Sequence, residues 1–174
     1  MKRRTFAAGT LAFGIFGITR DERALAQTSD FKARVSSRWD ADIGSDAVID
    51  RFVTTITAYG SEETASEAFD DLLAGVRDGT LYSEETGADD RGDDSFFVRF
   101  NDPNFVIDEF TIRFGPIVYE FRSEAVHFGG ARDAFRLMEE VYSRVDEEAD
   151  TEEDLNLLLP TQEDVSRYGL TRQT

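Results

Sequence analysis

The chain is expected to fold as an α+β domain, an antiparallel sheet of four to five strands covered by two helices in the order β-α-β-β-β-β-α. Several runs of β-branched and aromatic residues alternate with period 2. Two stretches repeat apolar residues at helical spacing, and the later strands are separated by turns too short for a parallel crossover. Two amphipathic helices need a sheet to cover, which makes this the economical arrangement.

Residues 27–45 are polar and mixed. Phe31, Val35 and Trp39 recur every fourth residue and suggest a short helix or a late-packing arm. The first clear strand spans 48–59, with Val48, Phe52, Ile56 and Ala58 on one face and Arg51, Thr55 and Thr57 on the other. Gly60 ends it. Ser61 is an N-cap, Glu62 and Glu63 suit the positive helix end, and Ala65, Ala68, Phe69, Leu72, Leu73 and Val76 form an apolar stripe.

A weak strand at 80–85 leads into a loop of glycines and acids at 87–94. Residues 95–101 alternate Phe96, Val98 and Phe100 against Phe97, Arg99 and Asn101. Asp102-Pro103-Asn104 is turn chemistry, 105–114 alternates again, and Gly115-Pro116 turns into a strand at 117–122. Three strands joined this way form an antiparallel meander. After Gly129-Gly130, residues Ala134, Phe135, Met138, Val141, Tyr142 and Val145 mark the second helix. The expected organisation is a signal peptide at 1–26, an arm at 27–45, the α+β domain at 46–146, and an acidic linker and tail at 147–174.

The first 26 residues read as a cleavable signal peptide. Lys2-Arg3-Arg4 supplies the charge, 6–18 is uncharged, and Ala24-Leu25-Ala26 suits a signal peptidase. Thirteen residues make a helix of about 20 Å, too short for a hydrocarbon core of about 30 Å. Arg3, Arg4 and Phe6 resemble the twin-arginine translocation signal, although Lys2 and Ala7 depart from its usual residues; a general secretory signal is the alternative. Either implies an exported protein, periplasmic, surface-associated or secreted, with no stable membrane anchor once cut.

The chain carries 36 Asp+Glu against 19 Lys+Arg, a net charge of −17, and no cysteine. Five of those bases and two of those acids lie in residues 1–26, so the remainder would stand at −20. Such a field disfavours nucleic acid. Missing cysteines exclude a disulfide framework and thiolate metal sites. The acidic, lysine-poor balance fits a salt-adapted surface, whereas preference for arginine over lysine more often reflects a GC-rich genome.

Residues 48–165 resemble uncharacterised extracytoplasmic bacterial modules that often occur in tandem. The resemblance rests on Ser61-Glu62-Glu63-Thr64-Ala65, Gly92-Asp93-Asp94-Ser95, Gly115-Pro116-Ile117-Val118 and the helix that follows. Their layout is similar to that of Mog1/PsbP-like domains. Leu158-Leu159-Pro160-Thr161-Gln162-Glu163-Asp164 is similar to an element joining such domains, and the resemblance brings no catalytic residue with it.

His127 is the only histidine, so an intrachain two-histidine metal site is excluded and any Ser-His-Asp triad must pass through it. At a strand boundary it reads as an ordinary satisfied residue. Asp89, Asp90, Asp93 and Asp94 could gather around Ca²⁺, but their spacing misses the calcium-loop pattern and Arg91 interrupts them. A solvated turn is the better reading, and neither metal nor other cofactor is expected. Phe96, Phe100, Phe110, Phe114, Tyr119 and Phe121 could line an apolar pocket, or simply fill a core. The expected function is a non-enzymatic binding or accessory module for an unknown protein or small molecule. The alternatives are a paired-carboxylate hydrolase and Ca²⁺-dependent binding through the 89–94 loop.

Overall fold

The computed structural model describes residues 31–42, 47–77, 84–87, 92–102, 105–125, 128–144 and 148–172. The signal-peptide residues Arg3, Arg4, Phe6, Ala24 and Ala26, as well as His127, Asp89 and Asp90, lie outside them.

The fold is α+β with an antiparallel sheet. Strands β1 (Phe31–Ala41) and β2 (Arg51–Tyr59) precede helix α1 (Glu62–Arg77). Then come β3 (Glu84–Gly87), β4 (Asp94–Asp102), β5 (Phe105–Phe114), β6 (Ile117–Ala125) and helix α2 (Phe128–Tyr142). The chain closes with short helices α3 (Glu152–Leu158) and α4 (Gln162–Ser166) and strand β7 (Leu170–Arg172). The sheet order is β3-β4-β5-β6-β2-β1-β7, and every pairing is antiparallel. The meander expected from the turn residues is β4-β5-β6. Gly115 at φ +53°, followed by Pro116, is the pattern of a type II′ hairpin turn, whose first central position favours glycine.

Strand parity divides the core into two layers. Phe52, Ile56, Phe110, Ile112, Ile117, Tyr119 and Phe121 face α2 and meet Ala134, Leu137, Met138 and Val141. On the opposite face, Tyr59, Phe96, Val98 and Val118 pack beneath Ala65, Ala68, Phe69, Leu72 and Val76 of α1.

The structure departs from expectation at both ends. Seven strands and four helices appear among the described residues, instead of four to five strands and two helices. Residues 31–41 form a strand and not a helix. The i, i+4 spacing of Phe31, Val35 and Trp39 is also an even spacing, and the true inward row is Ala33, Val35, Ser37 and Trp39. β1 is stabilised by pairing with β2 along its length, from Phe31 opposite Tyr59 to Asp40 opposite Arg51. The weak strand expected at 80–85 appears as β3 at Glu84–Gly87.

The segment expected as linker and tail also differs. Ala149, Leu155, Leu158, Leu159, Val165 and Leu170 belong to the α2-side core. β7 pairs with β1, placing Leu170 opposite Ala41 and Arg172 opposite Trp39. Acid density masked this part: Thr151 caps α3 by accepting from the Asp154 N–H, and Glu152, Glu153 and Asp154 complement the positive helix end. The inward-facing apolar residues, Val165 and the leucines above all, dock the segment while Glu152 and Glu153 stay in solvent.

Candidate functional site

The described surface holds a groove of about 670 Å³ between α2 and the turn that follows α4. Asp133, Arg136 and Glu140, at i, i+3 and i+7 on α2, form one wall. Ser166, Arg167, Tyr168 and Gly169 form the other, with Ala47 and Val48 at the base of β2.

Local chemistry fixes the second wall. Thr161 and Asp164 make a reciprocal capping box at the start of α4. Arg144, just after α2, grips the same Asp164 carboxylate, with Nη1 donating to Oδ2 at 2.8 Å and Nη2 donating to Oδ1. The Arg144 hydrogen bonds, aided by those from Thr161 against a smaller opposing effect of burial, hold the Asp164 pKa down to about 2. Gly169 then takes φ +72°, a left-handed conformation that turns the chain into β7. Gln162 Nε2 donates to the Leu170 carbonyl at 3.1 Å and steadies that turn.

Within the groove, Arg167 pairs with Glu140, and Arg136 lies 3.5 Å from Asp133. The Arg167 guanidinium sits 4.8 Å from the Tyr168 ring centre. The walls thus present two guanidinium groups, two carboxylates, the Ser166 hydroxyl and one aromatic ring. That set suits hydrogen bonding to a polar ligand. Among the described residues, no group of three His, Cys, Asp or Glu side chains is placed to hold a metal ion.

A second polar feature crosses the part of the α1-side sheet face beyond the α1 core. Arg38 Nη2 lies 2.9 Å from Asp40, Arg51 Nε donates to Asp40 at 2.9 Å, and Arg51 Nη1 donates to Glu124 at 3.0 Å. Arg122 joins Glu124 at 3.4 Å to Glu109 at 2.7 Å. Burial works to raise the Asp40 pKa, but the hydrogen bonds from Arg38 and Arg51 outweigh it and the value falls below the usual carboxylate range. On the α2 side, Arg99 forks onto Asp108 with bonds of 2.7 and 2.9 Å.

Of the acids singled out for calcium, Asp93 and Asp94 are described, and both meet Arg113, at 3.3 and 2.6 Å. Asp93 also accepts the Gly115 N–H at 2.7 Å, so these carboxylates anchor the β5–β6 turn. The aromatic residues considered for a pocket are divided between layers. Phe96 meets Phe69 at 5.3 Å, Tyr119 stacks on Phe121 at 6.2 Å, Phe100 meets Phe105 at 5.7 Å, and Phe114 meets Tyr142 at 6.5 Å.

The groove was not foreseen from the sequence, because its two walls are about thirty residues apart. One part was readable: Thr161-Gln162-Glu163-Asp164 has the spacing of a helix cap, which marks ordered structure where a tail was expected. Compared with known protein families and with curated proteins, the chain matches none.

Proposed function

We propose that this chain is an exported, non-enzymatic binding or accessory module whose ligand is a small polar molecule held in the groove between α2 and the turn after α4. The observation that carries the reading is the groove's composition: two exposed arginines, a tyrosine and a serine around an opening of small-molecule size. The ion pairing of Asp40, Asp108, Glu109, Glu124 and Asp164 supports binding over acid-base chemistry, since each is engaged by at least one arginine.

Thermal-shift and calorimetric titration against amino acids, sugar acids and dicarboxylates tests this. Saturable binding to the parent chain that weakens tenfold or more in Arg136→Gln and in Tyr168→Ala supports the groove. No binding across the panel, or binding indifferent to both substitutions, overturns it.

The second reading, an acid-dependent hydrolase, draws on Asp133 and Glu140 sharing the groove with Tyr168. Seven helical residues separate their backbones by about 10.5 Å, and each carboxylate is already paired, which favours binding. Glycosidase or esterase turnover lost in both Asp133→Asn and Glu140→Gln would establish the hydrolase instead. Export belongs to the same proposal and rests on Arg3-Arg4-x-Phe6 with the uncharged run behind it. Replacing Arg3-Arg4 by Lys-Lys is expected to block twin-arginine export, and undiminished export leaves the general secretory route.

A further inference from the structure

Among the described residues, β1 has a strand neighbour along its whole length on one side only. β2 pairs with it from Phe31 to Asp40, whereas β7 covers only Trp39, Asp40 and Ala41 on the outer side. From residue 31 to residue 38 no outer strand is present among the described residues. Ladder parity says which backbone groups face outward. The Ala41 N–H donates to the Asp50 carbonyl at 2.8 Å, so odd residues bond towards β2 and the N–H and C=O of Arg34, Ser36 and Arg38 point away from it. Unpaired edges of this kind template further strands.

The side chains on this edge are unusual for the molecule. In a chain with 36 acids and 19 bases, residues 32–38 hold Lys32, Arg34 and Arg38 and no acid. Lys32 sits at the bulge between Phe31 and Ala33 and reaches Asp150 at 3.1 Å. Arg34 lies 4.0 Å from Glu120, and Arg38 pairs with Asp40. The side chains of Lys32 and Arg38 are about half exposed, at 48% and 51%. Ion pairs this open contribute little to stability and exchange readily for a competing carboxylate.

We propose that the outer edge of β1 between residues 31 and 38 docks an extended acidic segment of a partner protein by strand addition. Backbone groups of Arg34, Ser36 and Arg38 supply the ladder, and alternate Asp or Glu side chains of the partner meet Lys32, Arg34 and Arg38. Charge selects this occupant over a second copy of the chain. A twofold antiparallel pairing must place residues of equal parity opposite one another. Centred on residue 33, 34, 35 or 36, it sets Lys32 against Arg34, Arg34 against itself, Lys32 against Arg38, or Arg34 against Arg38. Like charges directly opposite are destabilising. The surface is separate from the groove and does not depend on it.

The test is a capped seven-residue peptide alternating Glu with Val, titrated into the full chain at 0.15 M NaCl, beside an isosteric peptide with Gln for Glu. The expected result is binding of the Glu peptide at least tenfold tighter than the Gln peptide, with new hydrogen-exchange protection at the Arg34, Ser36 and Arg38 amides. Ser36→Pro removes one outward N–H without touching the β2 ladder, and edge strands tolerate proline. It should weaken binding tenfold or more while the melt remains cooperative. If that variant does not fold, the double variant Arg34→Gln with Arg38→Gln gives the same readout through charge alone. Arg136→Gln should leave peptide binding unchanged, separating this edge from the groove. No binding at millimolar peptide, equal affinity for both peptides, protection elsewhere, or a dimer that protects these same amides would overturn the proposal.

Discussion

Asp164 does two jobs with one carboxylate, capping α4 through Thr161 and holding Arg144 at the end of α2. Its pKa is about 2 in the fold against an ordinary 3.8, so its contribution to stability is complete above about pH 4 and disappears as pH falls towards 2. Asp164→Asn keeps a cap acceptor but loses the charge. It should cost about 1 kcal/mol at pH 7 and flatten the fall in melting temperature between pH 4 and pH 2. Circular-dichroism melts across that range check both effects. Gly92 illustrates a backbone demand: at φ +66° an added Cβ would press on the Arg113 carbonyl and the Ile112 side chain. Gly92→Ala should therefore destabilise by more than about 1 kcal/mol, measurable by urea unfolding.

At the scale of elements, the C-terminal segment determines whether β1 has a covered inner face. Trp39 is 2% exposed, donates its indole N–H to Ser37 Oγ at 3.2 Å, and shares its cluster with Leu155, Leu158, Val165 and Leu170. Leu155, fully buried, should cost about 2–5 kcal/mol when cut to alanine. Leu157, 74% exposed on the same helix, should be near neutral when changed the same way. Denaturant curves for the pair distinguish a docked helix from a solvated tail. A chain ending at Asp150 would expose Trp39 and the α2-side core, and should lose its cooperative melt.

The whole molecule carries far more acid than its arginines can pair. Self-repulsion therefore opposes folding over distances comparable to the Debye length of about 10 Å at 0.1 M salt. Raising NaCl from 10 mM to 500 mM should raise the melting temperature by several degrees, because screening relieves repulsion among many exposed acids and weakens few half-buried pairs. A fall over the same range would show that the ion pairs dominate. The half-buried pairs share a pattern: arginines on the sheet, Arg51, Arg99, Arg113 and Arg122, each reach a carboxylate from the same or a neighbouring strand. That pattern explains how an acidic chain can place Asp108 and Glu109 at 7% and 9% exposure.

The sequence by itself determined the elements whose evidence is local: the alternation of β2, β4, β5 and β6, the cap and stripe of α1, the apolar face of α2, and the turn at Gly115-Pro116. It also determined the charge, the absence of thiol chemistry and the single histidine. Tertiary structure alone decided the rest. β1 is a strand because β2 lies beside it, although the spacing of Phe31, Val35 and Trp39 fits a helix as well. The acidic C-terminal segment is ordered because a few leucines meet the sheet, and those contacts span more than a hundred residues. The groove arises from distant segments brought together, and the basic run at 32–38 becomes an edge only because β7 stops at Trp39 on its outer side. Periodicity reports which face of an element is apolar; only packing reports what that face meets.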